Sequence, residues 1–267
     1  MVSAPPKLLT IGGSDSGGAA GIQADLRTFA ALGAYGMSAL TVVTAQNSVA
    51  VSAVHKLPAA FLAAQLQAVL GDYGAAGIKT GFVGHVDLLE TIAARLDEYR
   101  SAVLVVDPVL VDHQGRAMFA AAVAEAYRAL LLPRARLITP NRREAEVLTR
   151  RPVPALGEAR VAARELVALG AGAALIKGIP DGADLVDLLW DGEQVRTYRA
   201  PRRETTNTHG AGDTYAAAIL AYLAAGATLP TAVARAHKFV QAAIQRGANW
   251  RLGQGHGPVA QWEGGLE

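Results

Sequence analysis

The chain has 267 residues, 51% of them hydrophobic, enough for one large α/β core. Its formal charge of +2 is too small to mark a nucleic-acid or membrane-surface binder. Zero cysteines exclude disulfides and thiolate metal sites, in keeping with a cytoplasmic setting.

Met1-Val2-Ser3-Ala4-Pro5-Pro6 has neither the basic start nor the apolar stretch of a signal peptide. Lys7–Ile11 predicts a buried strand ending at Gly12-Gly13. A loop through Ser14-Asp15-Ser16-Gly17-Gly18 follows, then a helix from about Ala20 to Leu32, closed by Gly33. Strand Met37–Ala45 leads to Gln46-Asn47, and Val49–Val54 alternates like a second extended segment. The pattern continues with helix Ala59–Leu70, strand Ala75–Lys79, helix Val86–Leu96, strand Ala102–Val106, helix Ala117–Leu130 and strand Leu137–Thr139. A short helix begins after Asn141, and another spans Glu158–Leu169. Ala173–Lys177 reads as a strand, and Leu185–Trp190 with Val195–Tyr198 as a hairpin around Asp191-Gly192.

Helices Thr214–Ala225 and Thr231–Gln245 come last, before a glycine-rich tail. No charge falls between Asp213 and Arg235, a length approaching the ~20 residues of a membrane span. Gly226 and Pro230 divide that stretch, and Thr228 is placed to cap a second helix, so two buried helices are expected. Continuous apolar strands alternating with helices predict an α/β fold, its mostly parallel sheet covered by helices on both faces. No linker or repeat divides the chain, so residues 1–267 are expected to form one domain.

Polar residues gather just after the predicted strands: Gly13, Gln46, Lys79-Thr80, Asp107, Asn141 and Lys177. Open α/β sheets bind ligands outside the carboxyl ends of their strands, which points to one shared site. The chemistry centres on Thr205-Thr206-Asn207-Thr208-His209-Gly210-Ala211-Gly212-Asp213-Thr214. Small residues there let the backbone turn sharply, and unpaired amides at a helix start attract a phosphate. Gly-x-Gly-Asp can also be a mere tight turn with an acidic first turn. The polar Thr-Asn-Thr-His lead-in favours function, with Asp213 taking a proton from an attacking hydroxyl. That is the arrangement of a small-molecule kinase.

The first loop is neither G-x-G-x-x-G nor a P-loop, and Asp15-Ser16-Gly17-Gly18 has no protease triad around it. Asn141-Arg142-Arg143-Glu144 fits a helix capping box, a magnesium and phosphate site, or both at once. Asp107 is a turn former or, with Glu144, a holder of water around Mg²⁺. Lys177 is a snorkelling lysine or a phosphate neutraliser, made notable by the scarcity of lysine, five against twenty arginines. His209 has no second ligand at metal spacing and reads as a loop hydrogen-bonding residue.

Taken together, these residues resemble the ribokinase-like superfamily, and most closely its hydroxymethylpyrimidine (phosphate) kinase branch. The resemblance rests on Gly12-Gly13-Ser14-Asp15 with Gly21-Ile22-Gln23-Ala24-Asp25, Ala45-Gln46-Asn47, Lys79-Thr80-Gly81 and Asp107-Pro108-Val109. It continues through Thr139-Pro140-Asn141-x-x-Glu144-Ala145, Lys177-Gly178, Asn207-Thr208-His209-Gly210-x-Gly212 and Gly253-x-Gly255-x-Gly257-Pro258. It implies a three-layer sandwich, a homodimer, and a cytoplasmic Mg²⁺-ATP kinase acting on an aminopyrimidine alcohol and its phosphate.

The resemblance also implies that Gly13, Asp25, Gln46, Phe82 and Val109 line the pyrimidine pocket. Asn141, Lys177 and Thr208 would hold ATP, with Asp107 and Glu144 near Mg²⁺. The amides of Gly210, Ala211 and Gly212 would stabilise the transferring phosphoryl group. Four positions depart from the branch: Asp213 replaces a usual Cys, Phe82 a usual Met, Gly18-Ala19 a glycine pair, and Ile179-Pro180 a usual Gly-His. Asp213 and Phe82 keep pyridoxal kinase as a rival, and a non-catalytic vitamin- or nucleotide-binding regulator is a second.

Overall fold

A computed structural model describes residues 4–99, 102–112 and 114–262. Met1-Val2-Ser3, on which the signal-peptide reading partly rests, lies outside them. The strands are β1 (Lys7–Asp15), β2 (Tyr35–Gln46), β3 (Val51–Lys56), β4 (Gly77–Thr80), β5 (Val103–Val106), β6 (Leu137–Ile138), β7 (Ala174–Asp181), β8 (Asp184–Trp190) and β9 (Val195–Pro201). Among the described residues they form one nine-stranded sheet in the order β3-β2-β1-β4-β5-β6-β7-β8-β9. The stretch from β2 to β7 is parallel, whereas β3 on one side and β8 and β9 on the other are antiparallel.

The helices are α1 (Gly21–Ala31), α2 (Ala59–Asp72), α3 (Val86–Glu98), α4 (Ala121–Ala126), α5 (Arg142–Thr149), α6 (Leu156–Ala168), α7 (Ala211–Ala224) and α8 (Leu229–Gly247). The period-two alternation of the strands assigns them to two layers. Leu8, Val105, Leu137 and Leu175 point to a core shared with α1, α7 and α8. Leu9, Ile78, Val106, Ile138 and Ile176 point to a second core under α2 through α6. The sheet is therefore buried on both faces, as its continuous apolar strands predict.

The uncharged stretch after Asp213 resolves into the two helices expected. Alanines 216, 217 and 218 bring α7 so near the sheet that a Cβ on Gly77 would lie 2.6 Å from Leu220 Cδ1. No described helix is long and apolar enough to cross a membrane.

Three boundaries differ from the sequence reading in ways that matter for the site. Strand β1 runs on through Gly12-Gly13 to Asp15, because β2 keeps pairing with it beyond a register shift. Strand β7 passes Lys177 and continues to Asp181, carried by its pairing with β8. Helix α7 opens at Ala211, three residues before the predicted Thr214, so Gly212 and Asp213 belong to its first turn. Elsewhere the predicted helix Ala117–Leu130 begins only at Ala121, since Ala117 is held in a bridge with Val111. It then widens into a π turn over Tyr127–Leu131.

Candidate active site

Three register shifts mark the strand ends facing one another across the site. They fall between Gly12 and Ser14, between Ala45 and Gln46, and between Ile176 and Ile179. A bulge breaks the in-out alternation and re-aims a side chain, and here each lies beside a candidate residue: Gly13, Gln46 and Lys177. The sequence signal for two of them is a glycine inside an apolar strand.

Gly210 caps α7 in the left-handed region, with φ at 77°. A side chain there would overlap the Ala19 carbonyl, so the turn is pressed against the loop leaving β1. The first N–H groups of a helix lack partners within it. Ala211 N is already engaged, donating to Thr208 O at 3.1 Å, and Thr214 N donates to Gly210 O. The amides of Gly210, Gly212 and Asp213 find no acceptor among the described residues. The turn therefore offers Gly210 and Gly212 as expected, with Asp213 in the place of Ala211.

Behind this turn lies a buried chain of alternating charge. Lys79 Nζ, fully buried in β4, sits 2.9 Å from Asp25 and 3.1 Å from Asp213 Oδ1. Gly21 N donates to the other Asp213 oxygen at 3.2 Å, yet the Asp213 side chain keeps 15% of its surface exposed. Lys177 Nζ donates to Asp107 Oδ1 at 2.8 Å, and Thr139 Oγ1 donates to the same oxygen at 2.9 Å. A Cβ on Gly212 would stand 3.5 Å from Lys177 Nζ and 3.9 Å from Asp107 Oδ2. The helix mouth, the lysine and the carboxylate thus meet in one place.

Burial works against every one of these charges, and the partners decide the balance. It would lower Lys79 and Lys177, but neighbouring carboxylates hold both above the usual lysine range. It would raise Asp107, but Lys177 and Lys79 hold that carboxyl below its ordinary value. Asp25 is pushed up to about 7 by burial, with Asp213 adding to the shift and Lys79 and Thr10 opposing it. Glu144 is pushed up to about 8, again by burial first, with Asp107 adding and Lys177 opposing.

Asn141 and Glu144 form the capping box. Glu144 N donates to Asn141 Oδ1 at 2.9 Å, and Asn141 N donates to Glu144 Oε2 at 2.8 Å. Leu110 N donates to Glu144 Oε1 at 3.3 Å. Among the described residues no three His, Cys, Asp or Glu side chains gather as a metal cage. Two buried carboxylates beside a phosphate-sized turn instead suit a hard cation that keeps its waters and takes further oxygens from a substrate. Asp107 and Glu144 fit that role.

On the acceptor side, a Cβ on Gly13 would lie 3.1 Å from Phe82 Cδ1, and Phe82 packs on Phe119 with ring centroids 5.3 Å apart. Val109 is half-buried just beyond Asp107, its amide donating to Asp107 O. Gln46 reaches towards the α7 loop, with Nε2 3.1 Å from His209 Nε2. Asp25 is 1% exposed: its Oδ2 accepts from Thr10 Oγ1 at 2.6 Å and from Lys79 Nζ at 2.9 Å, while its Oδ1 has no hydrogen-bond partner among the described residues. Thr208 Oγ1 is 2.9 Å from His256 Nε2, on the glycine-rich tail.

Three residues enter that the sequence reading left without a task. Lys79 is the largest omission, although a lysine inside an apolar strand of a lysine-poor chain is itself a signal. Asp187 accepts from Gly178 N at 2.8 Å and so steadies the bulge that carries Lys177. Asn207 Nδ2 donates to the carbonyls of Gly247 and Trp250, tying the turn before α7 to the end of α8.

The sequence profile of the phosphomethylpyrimidine kinase family matches residues 15–260. A hydroxymethylpyrimidine/phosphomethylpyrimidine kinase of Streptomyces coelicolor is 46% identical over 96% of this chain and 94% of its own. The thiamine biosynthesis bifunctional protein of Geobacter sulfurreducens is also 46% identical, over 94% of this chain, which spans only about half (51%) of that longer relative. Among solved structures, an ADP complex of Bacillus subtilis pyridoxal kinase superposes with a TM-score of 0.89 at 36% identity, covering 97% of this chain and 98% of that one. The ribokinase-like fold expected from the motifs is thereby shown, and the reading as a non-catalytic regulator falls away. The chain belongs to the phosphomethylpyrimidine kinase family and is a small-molecule kinase.

Proposed function

We propose that this kinase transfers the γ-phosphoryl group of ATP to the hydroxymethyl oxygen of 4-amino-5-hydroxymethyl-2-methylpyrimidine, and then phosphorylates the monophosphate so formed. The observation that carries the reading is the position of Asp213: a carboxylate 15% exposed, one residue beyond Gly212, at a helix mouth with uncommitted amides. The sequence relatives that carry this activity by name support the pyrimidine.

In the first step the acceptor hydroxyl gives its proton to Asp213 as its oxygen bonds to the γ-phosphorus. The bond from that phosphorus to the bridging oxygen breaks, and ADP leaves with the electron pair. The amides at the start of α7 and the Lys177 ammonium hold the negative charge that spreads over the transferring oxygens. Asp107 and Glu144 would hold Mg²⁺ through water, and the ion would screen the nucleotide's phosphates. Gly13 leaves room for a flat ring against Phe82, and Gln46 supplies a donor and an acceptor to its edge.

Pyridoxal kinase is the second reading, favoured by the solved pyridoxal kinase of similar shape and by the carboxylate at 213. One assay separates the two: turnover of Mg²⁺-ATP with the pyrimidine alcohol, its monophosphate and pyridoxal side by side. The proposal expects the alcohol to give the highest kcat/KM and the monophosphate to be turned over. Preference for pyridoxal would reverse it.

A further inference from the structure

Strand β4 ends at Thr80, and the two carbonyls that follow it, Gly81 O and Phe82 O, accept from no backbone amide among the described residues. Each is met by a hydroxyl instead. Tyr127 Oη donates to Gly81 O at 3.1 Å, and Thr41 Oγ1 donates to Phe82 O at 2.6 Å. A carbonyl has no proton to give, so both hydroxyls must be the donors. Thr41 belongs to β2 and Tyr127 follows α4, so two separate elements grip consecutive residues. Gly81 N adds a third tie by donating to Ile11 O in β1 at 2.9 Å.

Tyr127 reaches this position by an unusual route. Among the described residues it is the largest fully buried side chain, set in an otherwise apolar core. Burial, with Asp107 and Glu144 adding, pushes its hydroxyl well above the usual tyrosine range, so it keeps its proton and stays a donor. The chain gives up α-helical geometry at this residue: Leu132 N donates to Tyr127 O, closing the π turn over Tyr127–Leu131. Such turns are rare and collect at functional sites. A phenylalanine would fill the same space in the core, and what tyrosine adds is the bond to Gly81 O.

The segment so held borders the chemistry on both sides. A Cβ on Gly81 would stand 3.2 Å from Lys79 Nζ and 3.8 Å from Asp213 Oδ1. Phe82, the next residue, is the ring that packs beside Gly13. We infer that Tyr127 and Thr41 are positioning residues: their hydroxyls fix the Gly81-Phe82 backbone and thereby the place of the acceptor ring relative to Asp213. The inference rests on Phe82 facing that ring, as in the function proposed above. Both side chains are fully buried, so they act through this backbone and not on a ligand.

The test is steady-state kinetics with the aminopyrimidine alcohol and Mg²⁺-ATP, each varied while the other saturates, together with urea melts. The proteins are wild type, Tyr127→Phe, Thr41→Val, Phe82→Ala and the double variant Tyr127→Phe/Phe82→Ala. Losing one neutral hydrogen bond predicts a KM for the pyrimidine raised about tenfold in Tyr127→Phe, with the KM for ATP where it was. Thr41→Val should raise the same KM and spare the same one. Once the Phe82 ring is gone, removing the tyrosine hydroxyl should raise the pyrimidine KM no further, because the two act as one unit. A shifted melt with an unmoved pyrimidine KM, an equal rise in both KM values, or a full further rise in the double variant would each overturn the positioning role. Should Tyr127→Phe fail to fold, Thr41→Val decides alone, and an unchanged pyrimidine KM there overturns the inference. If Phe82→Ala leaves the pyrimidine KM unmoved, Phe82 does not seat the ring and the inference falls with its premise. A wild type inert towards the pyrimidine refutes the proposed substrate, and the inference with it.

Discussion

Lys79 Nζ lies 3.1 Å from Asp213 Oδ1 and 2.9 Å from Asp25, so one fully buried ammonium ties the first turn of α7 to α1. The ion pair orients Asp213 without closing it off, since the side chain keeps 15% of its surface. Replacement by Asn keeps the shape and one acceptor for Lys79 but removes the base. Asp213→Asn should slow phosphorylation of the pyrimidine alcohol by about 10²–10⁴-fold, the usual span for a lost general base. A phosphate acceptor, with its second pKa near ~6, is already largely dianionic and needs little help. Its rate should fall far less, and could rise as a repelling charge is removed. Single-turnover rates on both acceptors decide the matter, and equal losses would remove Asp213 from its role.

Asp25 makes a stability prediction with a definite sign. Burial, with Asp213 adding, lifts its carboxyl to about 7, far above the ~3.9 of an unfolded chain. The folded state therefore binds the proton more tightly. Its contribution is fully present below the unfolded value and is lost as pH rises through the folded one. Asn cannot ionise, so the unfolding free energy of wild type should fall relative to Asp25→Asn between about pH 4 and pH 7. Urea melts of the two proteins across that window give the difference directly. Parallel curves would mean that Lys79 fully offsets the burial of this carboxylate.

The sheet, its two helical layers and the convergence of strand ends were legible because each rests on a local pattern: alternation, apolar runs and glycines. The glycine turn that opens α7 was legible for the same reason. What Lys79 does was not, because its partners Asp25 and Asp213 come from 54 and 134 residues away in the chain. Nor was the early start of α7, since Gly210-Ala211-Gly212 carries low helical preference and only the Ala19 carbonyl packed against Gly210 explains its geometry. The ties of Asp25 were not legible either: the resemblance implies a place in the acceptor pocket, and its side chain is also bound through Oδ2 to Thr10 and Lys79, with Oδ1 lacking a hydrogen-bond partner among the described residues.

Glu144 carries two roles that one pair of variants can separate. As N3 of the capping box it accepts from Asn141 N, and it also accepts from Leu110 N. Glu144→Gln keeps one carbonyl acceptor for the shorter of these bonds and should cost no more than about 1 kcal/mol, whereas Glu144→Ala strands both amides and should cost about 1–3 kcal/mol. If the carboxylate also helps hold Mg²⁺, the Gln variant should need more Mg²⁺ for half-maximal activity while melting close to wild type. An unaltered Mg²⁺ titration would leave Glu144 as a cap alone.

Gly210 and Gly212 lie in the same turn, yet alanine should act on them in opposite ways. At Gly210 the φ of 77° penalises any L side chain by roughly 1–2 kcal/mol, and the new methyl would overlap the Ala19 carbonyl, which is backbone and cannot step aside. Gly210→Ala should therefore lose stability and activity together. At Gly212 the backbone is helical, and a methyl would sit 3.5 Å from Lys177 Nζ and 3.9 Å from Asp107 Oδ2, ordinary contact distances. Stability should hold or rise by about 0.5–1 kcal/mol, the usual gain of Ala over Gly in a helix. The methyl would nevertheless occupy the space between the helix mouth and the lysine, where the transferring phosphoryl group must fit. Gly212→Ala is thus expected to combine an equal or higher melting temperature with a large fall in kcat. Full activity in that variant would mean that phosphoryl transfer takes place somewhere other than this turn.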